Sequence, residues 1–143
     1  MLYDSSGSNT LTPRQESVPY AEVTGTESVE VVTLDMLVGE HGLMPPSVLK
    51  IDVEGSELAV LRGARLLLEQ ARPHVIVEYN YDAAHELGYG LEDLSGELRR
   101  TQRQVCALVH PLRGDPSDTT LYALGALPPQ GVGALVAIEP RDV

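Results

Sequence analysis

The sequence predicts an α/β fold with a mostly parallel sheet and antiparallel closing strands. Two short runs rich in β-branched residues, 48–53 and 74–77, flank a stretch whose apolar residues recur at helical spacing. Two strands joined through a helix form a right-handed crossover almost without exception, so these strands should run parallel. The apolar runs 120–124 and 133–138 follow turn-rich segments and suit the antiparallel strands that would close the sheet.

The amino-terminal part is expected to contain little regular structure. Residues 1–27 are predicted to be a flexible lead, because they are rich in Ser, Thr, Pro and Gly and their apolar residues are scattered. A strand is expected over 29–34 and a short helix over 36–41, with Thr33 or Asp35 as its cap. The length of 143 residues suggests one domain, which is assigned to residues 28–143.

The first strand of the crossover, over 48–53, is predicted to be buried on both faces and ends in an acidic turn that contains Asp52 and Glu54. Ser56 can cap the helix that follows, and Glu57 lies in its first turn, where a negative charge suits the helix dipole. One helix is predicted from there, because its apolar residues share one helical face: Leu58, Leu61, Ala64 and Leu68.

Helices and a strand are predicted between the crossover and the closing strands. One short helix is expected over 83–87 with Asp82 as its cap, and a second over 92–103. The alternating apolar run 104–110 is expected to form a strand.

Three carboxylates are predicted to meet at one edge of the sheet. Asp52 and Glu54 end the first crossover strand, and Glu78 ends the second. Ligand crevices of open α/β sheets lie outside the carboxyl ends of their strands. Asp52 and Glu54 should also share a face, since side chains alternate along an extended strand. The alternative is that each carboxylate only caps a helix or solvates a loop.

These residues carry a family resemblance. The run 50–57, KIDVEGSE, with VLRGA at 60–64 and Glu78, resembles the signature of FkbM-type methyltransferases, and VEVVTLD at 29–35 is similar to the element preceding it. The resemblance implies a class I methyltransferase fold with a Rossmann-like sheet. It also implies S-adenosylmethionine as cofactor and O-methylation of a hydroxyl group on a small molecule or sugar.

Part of that fold is not evident in the sequence. Class I enzymes hold the cofactor with a glycine-rich turn after the first strand and an acidic residue after the next, and neither pattern is found here. The chain is therefore expected to be a truncated, carboxyl-terminal portion of the family's domain. Its cofactor-binding residues stay unassigned, and S-adenosylmethionine is not expected to bind this chain alone. The alternative is a non-catalytic remnant or interaction module with the same fold.

In a complete enzyme, Asp52 is the first candidate for the general base or for a group that orients the substrate, and Glu54 is the second. Glu78 would orient the substrate or hold a loop. Asp52 and Glu54 could instead bind a divalent cation, but this pair offers fewer oxygen ligands than a cation usually takes, so no metal site is assigned.

Composition limits the partners and the compartment. The formal net charge of −11 argues against nucleic acid or an anionic membrane as partner. The single cysteine, Cys106, cannot form a disulfide within the chain, and no apolar stretch reaches membrane-spanning length, so a cytoplasmic location is expected. A sheet cut in its middle would expose a strand edge, which predicts self-association or pairing with a separate amino-terminal half.

Overall fold

The computed structural model of the chain describes residues 2–3, 23–101, 104–109, 120–123 and 132–138. Its strands in chain order are β1 (Leu2–Tyr3), β2 (Val23–Gly25), β3 (Val48–Ile51), β4 (His74–Glu78), β5 (Gln104–Val109), β6 (Thr120–Ala123) and β7 (Ala134–Ile138). Its helices are α1 (Leu34–Gly39), α2 (Glu57–Arg62), α3 (Arg65–Gln70), α4 (Tyr81–Glu86) and α5 (Leu91–Arg99). The α/β class predicted from the sequence is confirmed.

Five of these strands form one mixed sheet in the order β3-β4-β7-β5-β6. The predicted crossover is confirmed, because β3 and β4 pair in parallel with Ile51 opposite Val77. The prediction of a mostly parallel sheet is wrong for the described pairs, since β4–β7, β5–β7 and β5–β6 are all antiparallel. The cause is the position of β7. It lies between β4 and β5, which run in the same direction, and it runs opposite to both.

The crossover contains two short helices where the sequence predicted one. The helical conformation is interrupted between α2 and α3 at Gly63, whose carbonyl oxygen accepts a hydrogen bond from the Asp35 amide. The carboxylate of Asp35 then accepts from the amides of Leu66 and Leu67, at 3.1 and 2.9 Å. Asp35 therefore supplies α3 with acceptors for amides that have no partner within a helix.

The segment before α1 differs from its prediction. The strand expected over 29–34 is wrong, because residues 26–33 form no regular element and Val31 is 72% exposed. Alternating apolar residues need a neighbouring strand to form a ladder, and none of the described strands lies beside this segment. The cap prediction is confirmed for Thr33, whose Oγ1 accepts from the Met36 amide at 3.1 Å.

The boundaries of the later helices also shift. Asn80 caps α4 in place of Asp82, with its side-chain oxygen accepting from the Ala83 amide at 3.2 Å. The helix predicted over 92–103 is α5, which ends at Arg99. The strands predicted over 104–110, 120–124 and 133–138 correspond to β5, β6 and β7, and the last residue of each of the first two predictions lies outside the described residues.

The core is built mostly from aliphatic side chains and covers one face of the sheet. Val75 and Val77 of β4 are fully buried, whereas His74 and Ile76 on the other face are half-buried. The prediction that the first crossover strand is buried on both faces is wrong, because only Ile51 of β3 is buried. The reason is that β3 is the edge strand of the sheet among the described residues.

Most of the predicted flexible lead, 1–27, lies outside the described residues. Its described parts, β1 and β2, pair in antiparallel fashion as a separate two-stranded sheet. Within the described ranges, no helix is both long enough and apolar enough to cross a membrane.

Candidate functional site

The parallel register of β3 and β4 brings the predicted site residues together. Ile51 lies opposite Val77, so Asp52 and Glu78 occupy the next positions at the carboxyl ends of neighbouring strands. Carboxylate oxygens of Asp52, Glu54 and Glu78 all lie within 4.8 Å of one another. The structure thus places the three carboxylates predicted from the sequence in one cluster, which we call the acidic rim.

Asp52 and Glu78 are joined by a hydrogen bond between their carboxyl groups. This bond is the main cause of a Glu78 pKa raised to about 7, with burial and the negative charges of Asp52, Glu54 and Glu57 adding to it. The same bond lowers the pKa of Asp52, and Lys50 lowers it further. The pKa of Glu78 is thus raised and that of Asp52 lowered, so Glu78 keeps a proton to higher pH than Asp52 does.

Lys50 provides a positive charge at the edge of the acidic rim. Its Nζ donates a short hydrogen bond to Asp52 Oδ2, and this bond and the charge of Asp52 raise the pKa of the lysine. Both side chains are well exposed, at 65% and 39%, so water screens the ion pair. The pair favours the ionised form of Asp52.

Glu54 reaches the rim by a turn and not by the strand alternation that the sequence suggested. β3 ends at Ile51, and the chain then turns with φ of 52° at Glu54 and 104° at Gly55. A positive φ is unusual for a residue with a side chain, and Gly55 removes that difficulty at the second position. The predicted shared face of Asp52 and Glu54 is therefore produced by this acidic turn, residues 52–55.

A fourth carboxylate, Glu57, supports the acidic turn from inside the protein. It is 1% exposed, and its Oε1 accepts hydrogen bonds from the amides of Val53 and Gly55 at 3.2 and 3.0 Å. Its Oε2 accepts from the Tyr89 hydroxyl at 2.7 Å. The sequence suggested only a helix-dipole role for Glu57, and nothing in the sequence indicated Tyr89, which is 32 residues away. Ser56 occupies the cap position without a side-chain hydrogen bond.

The acidic rim has donor atoms suited to a divalent cation. Three carboxylates could supply three oxygen ligands, whereas hard divalent cations take six or more. Lys50 already pairs with Asp52, and the same carboxylate shares a hydrogen bond with Glu78. A cation would have to displace both.

The described residues do not form a glycine cradle for a nucleotide cofactor. Gly55 is the glycine nearest the carboxyl end of β3, and its amide already donates to Glu57. A Cβ atom at Gly55 would lie 3.0 Å from Leu87 Cδ1 and 3.3 Å from Ala83 Cβ, so protein fills the space beside it. The acidic rim offers carboxylate oxygens that can accept hydrogen bonds, but the described residues around Gly55 do not fit the role of holding S-adenosylmethionine.

Comparison with known families identifies the chain. A family model described as the methyltransferase FkbM domain matches residues 2–105, which is more than half of the 143 residues. None of the curated proteins and none of the solved structures matches the chain significantly. The matched range contains the acidic rim together with Glu57 and Tyr89. The chain therefore belongs to the FkbM methyltransferase domain family.

Proposed function

We propose that the chain is part of an S-adenosylmethionine-dependent methyltransferase that methylates a hydroxyl group of a small molecule or sugar. The observation that carries this proposal is the cluster of Asp52, Glu54 and Glu78 at the carboxyl ends of β3 and β4, with carboxylate oxygens within 4.8 Å of one another. Family membership supports the methyl-transfer chemistry, and the acidic rim supplies groups that can accept a proton.

Glu78 is the better candidate for the general base. A hydroxyl oxygen must lose its proton as it attacks a methyl group, and a base works best when its pKa lies near the working pH. Glu78 has a pKa of about 7, whereas the pKa of Asp52 is lowered by its hydrogen bond to Glu78 and by Lys50. We therefore assign proton acceptance to the deprotonated form of Glu78, which is populated as the pH rises through about 7, and orientation of the hydroxyl group to Asp52. General-base assistance of this kind is typically worth about 10²–10⁴-fold in rate.

The negative charge of the rim also restricts the acceptor. With Glu54 beside Asp52 and Glu78, the cluster would repel an anionic substrate and accept a neutral polyol or a cationic one. We assign to Glu54 a hydrogen bond to a second hydroxyl group of the acceptor. S-adenosylmethionine would supply an electrophilic methyl group.

The experiment measures cofactor binding and methyl transfer with the complete 143-residue chain. Calorimetry with S-adenosylmethionine tests binding, and transfer of a labelled methyl group to a panel of polyols and sugars tests the reaction. Glu78→Gln and Asp52→Asn should each lower the rate by about 10²–10⁴-fold. Glu92→Gln, which changes an exposed carboxylate on α5, should not. Full activity of Glu78→Gln would contradict the proposal.

One observation favours a second function, that of a non-catalytic interaction module with the same fold. Protein side chains fill the space beside Gly55, and its amide is bonded internally, so Gly55 does not offer its amide to a cofactor. A folded chain that gives no heat with S-adenosylmethionine and transfers no methyl group would support the module. Binding heat together with transfer would exclude it.

A further inference from the structure

Glu57 is an unusual residue for the interior of this protein. Its side chain is almost completely buried, yet carboxylates are rarely buried unless all their oxygens have partners. Its partners are two amides of the acidic turn, from Val53 and Gly55, and the hydroxyl group of Tyr89. Two of these contacts are made to the acidic turn itself, and the third is made to Tyr89, whose hydroxyl group also contacts the Gly55 carbonyl oxygen.

The acidic turn needs such support because its backbone is strained. Glu54 has φ of 52° and Gly55 has φ of 104°, and no intrinsic preference of a glutamate favours the first of these values. The amides of Val53 and Gly55 flank Glu54 on both sides, and both converge on Glu57 Oε1. One carboxylate oxygen thus bridges the strained residue and holds its backbone in place.

Tyr89 joins this turn to the segment that follows Glu78. It comes directly after α4, and its amide donates to the Ala84 carbonyl oxygen at 3.0 Å. Its hydroxyl group lies 2.7 Å from Glu57 Oε2 and 3.0 Å from the Gly55 carbonyl oxygen, so its one proton is directed at both acceptors. The loop after β3 and the helix after β4 are therefore linked through Tyr89.

We propose that Glu57 and Tyr89 are positioning residues for the acidic rim. Glu57 holds the acidic turn in the conformation that brings Asp52 and Glu54 to Glu78, and Tyr89 holds the carboxylate of Glu57. Neither residue needs to touch the substrate. The inference rests on the proposed function, because positioning matters for catalysis only if the rim takes the proton of the acceptor hydroxyl.

A pair of variants at one position tests the proposal. Glu57→Ala removes the acceptor for both amides, whereas Glu57→Gln keeps an oxygen that can accept them, and both variants lack the charge. The titration of Glu78, followed by carboxyl carbon NMR, reports its contact with Asp52, since that hydrogen bond is the main cause of the raised pKa. The groups whose charges also act on Glu78 are the carboxylates of Asp52, Glu54 and Glu57 and the ammonium group of Lys50.

We expect the Glu78 midpoint to fall from about 7 toward 4.5 in Glu57→Ala and to stay much closer to 7 in Glu57→Gln. Equal midpoints in the two variants would overturn the proposal. If Glu57→Ala does not fold, Tyr89→Phe carries the test, because it removes one hydroxyl group and leaves the charge of Glu57. Its control is Tyr81→Phe, which removes an exposed hydroxyl group on α4.

A lower Glu78 midpoint is expected for Tyr89→Phe, and an unchanged midpoint in that folded variant would also overturn the proposal. This result is separate from the proposed function. If the unmodified chain transfers no methyl group, the proposed function fails, while the Glu78 titrations still decide whether Glu57 and Tyr89 position the rim.

Discussion

The carboxyl groups of Asp52 and Glu78 share a hydrogen bond, although Asp52 follows β3, Glu78 ends β4, and the two residues lie 26 positions apart in the chain. Two neighbouring carboxyl groups cannot both ionise easily, so one keeps its proton and the other holds the charge. Lys50 decides which one is charged, because its ammonium group pairs with Asp52. Glu78 is left with a proton that it releases near neutral pH.

The unmodified chain should lose folding stability as the pH rises from about 4.5 to 7, and Glu78→Gln should not show this loss. The folded protein holds the Glu78 proton more tightly than the unfolded chain, because the folded pKa of about 7 exceeds the ordinary 4.5. The stabilisation from Glu78 is therefore complete below about pH 4.5 and is lost as the pH rises through about 7. Asp52 acts oppositely, because its lowered pKa adds stability above its ordinary 3.8 that is lost on further acidification.

Urea denaturation of both proteins at several pH values between about 4.5 and 8 measures this effect. The unmodified chain should lose stability over that range relative to Glu78→Gln, in which a neutral amide can still donate to Asp52. Glu92→Gln serves as the control, since Glu92 is exposed on α5. If the free energy of unfolding depends on pH in the same way for Glu78→Gln and the unmodified chain, the raised pKa of Glu78 is contradicted.

Asp52→Asn should lower the pKa of Glu78 from about 7 toward 4.5. Asp52 raises that pKa both by its hydrogen bond and by its charge, and the variant removes the charge and weakens the bond. Carboxyl carbon NMR of Glu78 measures the change directly. A Glu78 midpoint that stays near 7 would mean that burial and the other carboxylates raise the pKa without Asp52.

Gly55→Ala should destabilise the fold by about 1–3 kcal/mol, because a residue with a side chain is strained at φ of 104°. The new methyl group would also lie only 3.0 Å from Leu87 Cδ1. Gly96→Ala in the middle of α5 is the control, since nothing lies within 4 Å of its added Cβ, and alanine should stabilise that helix by about 1 kcal/mol. Denaturant unfolding should therefore show a lower free energy of unfolding for Gly55→Ala and a higher one for Gly96→Ala. Changes of the same sign would contradict the strained conformation of Gly55.

Asp35→Ala should cost about 0.5–2 kcal/mol, as does the loss of a helix cap. Asp35 is outside α3, yet its carboxylate accepts from the amides of Leu66 and Leu67 in the first turn of that helix. Glu40→Ala, beyond the end of α1, serves as the comparison because it leaves those amides bonded. Hydrogen exchange of the Leu66 and Leu67 amides should accelerate in Asp35→Ala alone.

The open edge of β3 predicts association with a second copy or with another chain. Among the described residues, β3 is a terminal strand of the five-stranded sheet, and its residue Val48 is 56% exposed. Unpaired strand edges with apolar side chains promote pairing, and a lysine on the edge opposes it. Sedimentation should show a species larger than a monomer that Val48→Lys reduces. A compact monomer at all concentrations would contradict this prediction.

Sequence reasoning was sufficient for the crossover and for the identity of its carboxylates. The apolar runs, the helical spacing between them and the rule of crossover handedness together predicted parallel β3 and β4. That alone placed Asp52 and Glu78 at the same edge of the sheet. These features are local, or depend on one topological rule, and each can be read from fewer than 40 consecutive residues.

Other features needed the tertiary structure because they depend on distant contacts. The antiparallel direction of β7 was predicted, but its place between β4 and β5 was not, and neither was the break between α2 and α3 beside Asp35. The support of the acidic turn by Tyr89 depends on the path of the chain after β4.

By itself, the sequence determined the family signature, the acidic residues and the parallel crossover, because all three depend on residue type and short-range spacing. The tertiary structure alone decided which carboxyl group holds the proton. That choice depends on the distances among Lys50, Asp52 and Glu78, and on the burial of Glu78, and none of these quantities is encoded in local spacing.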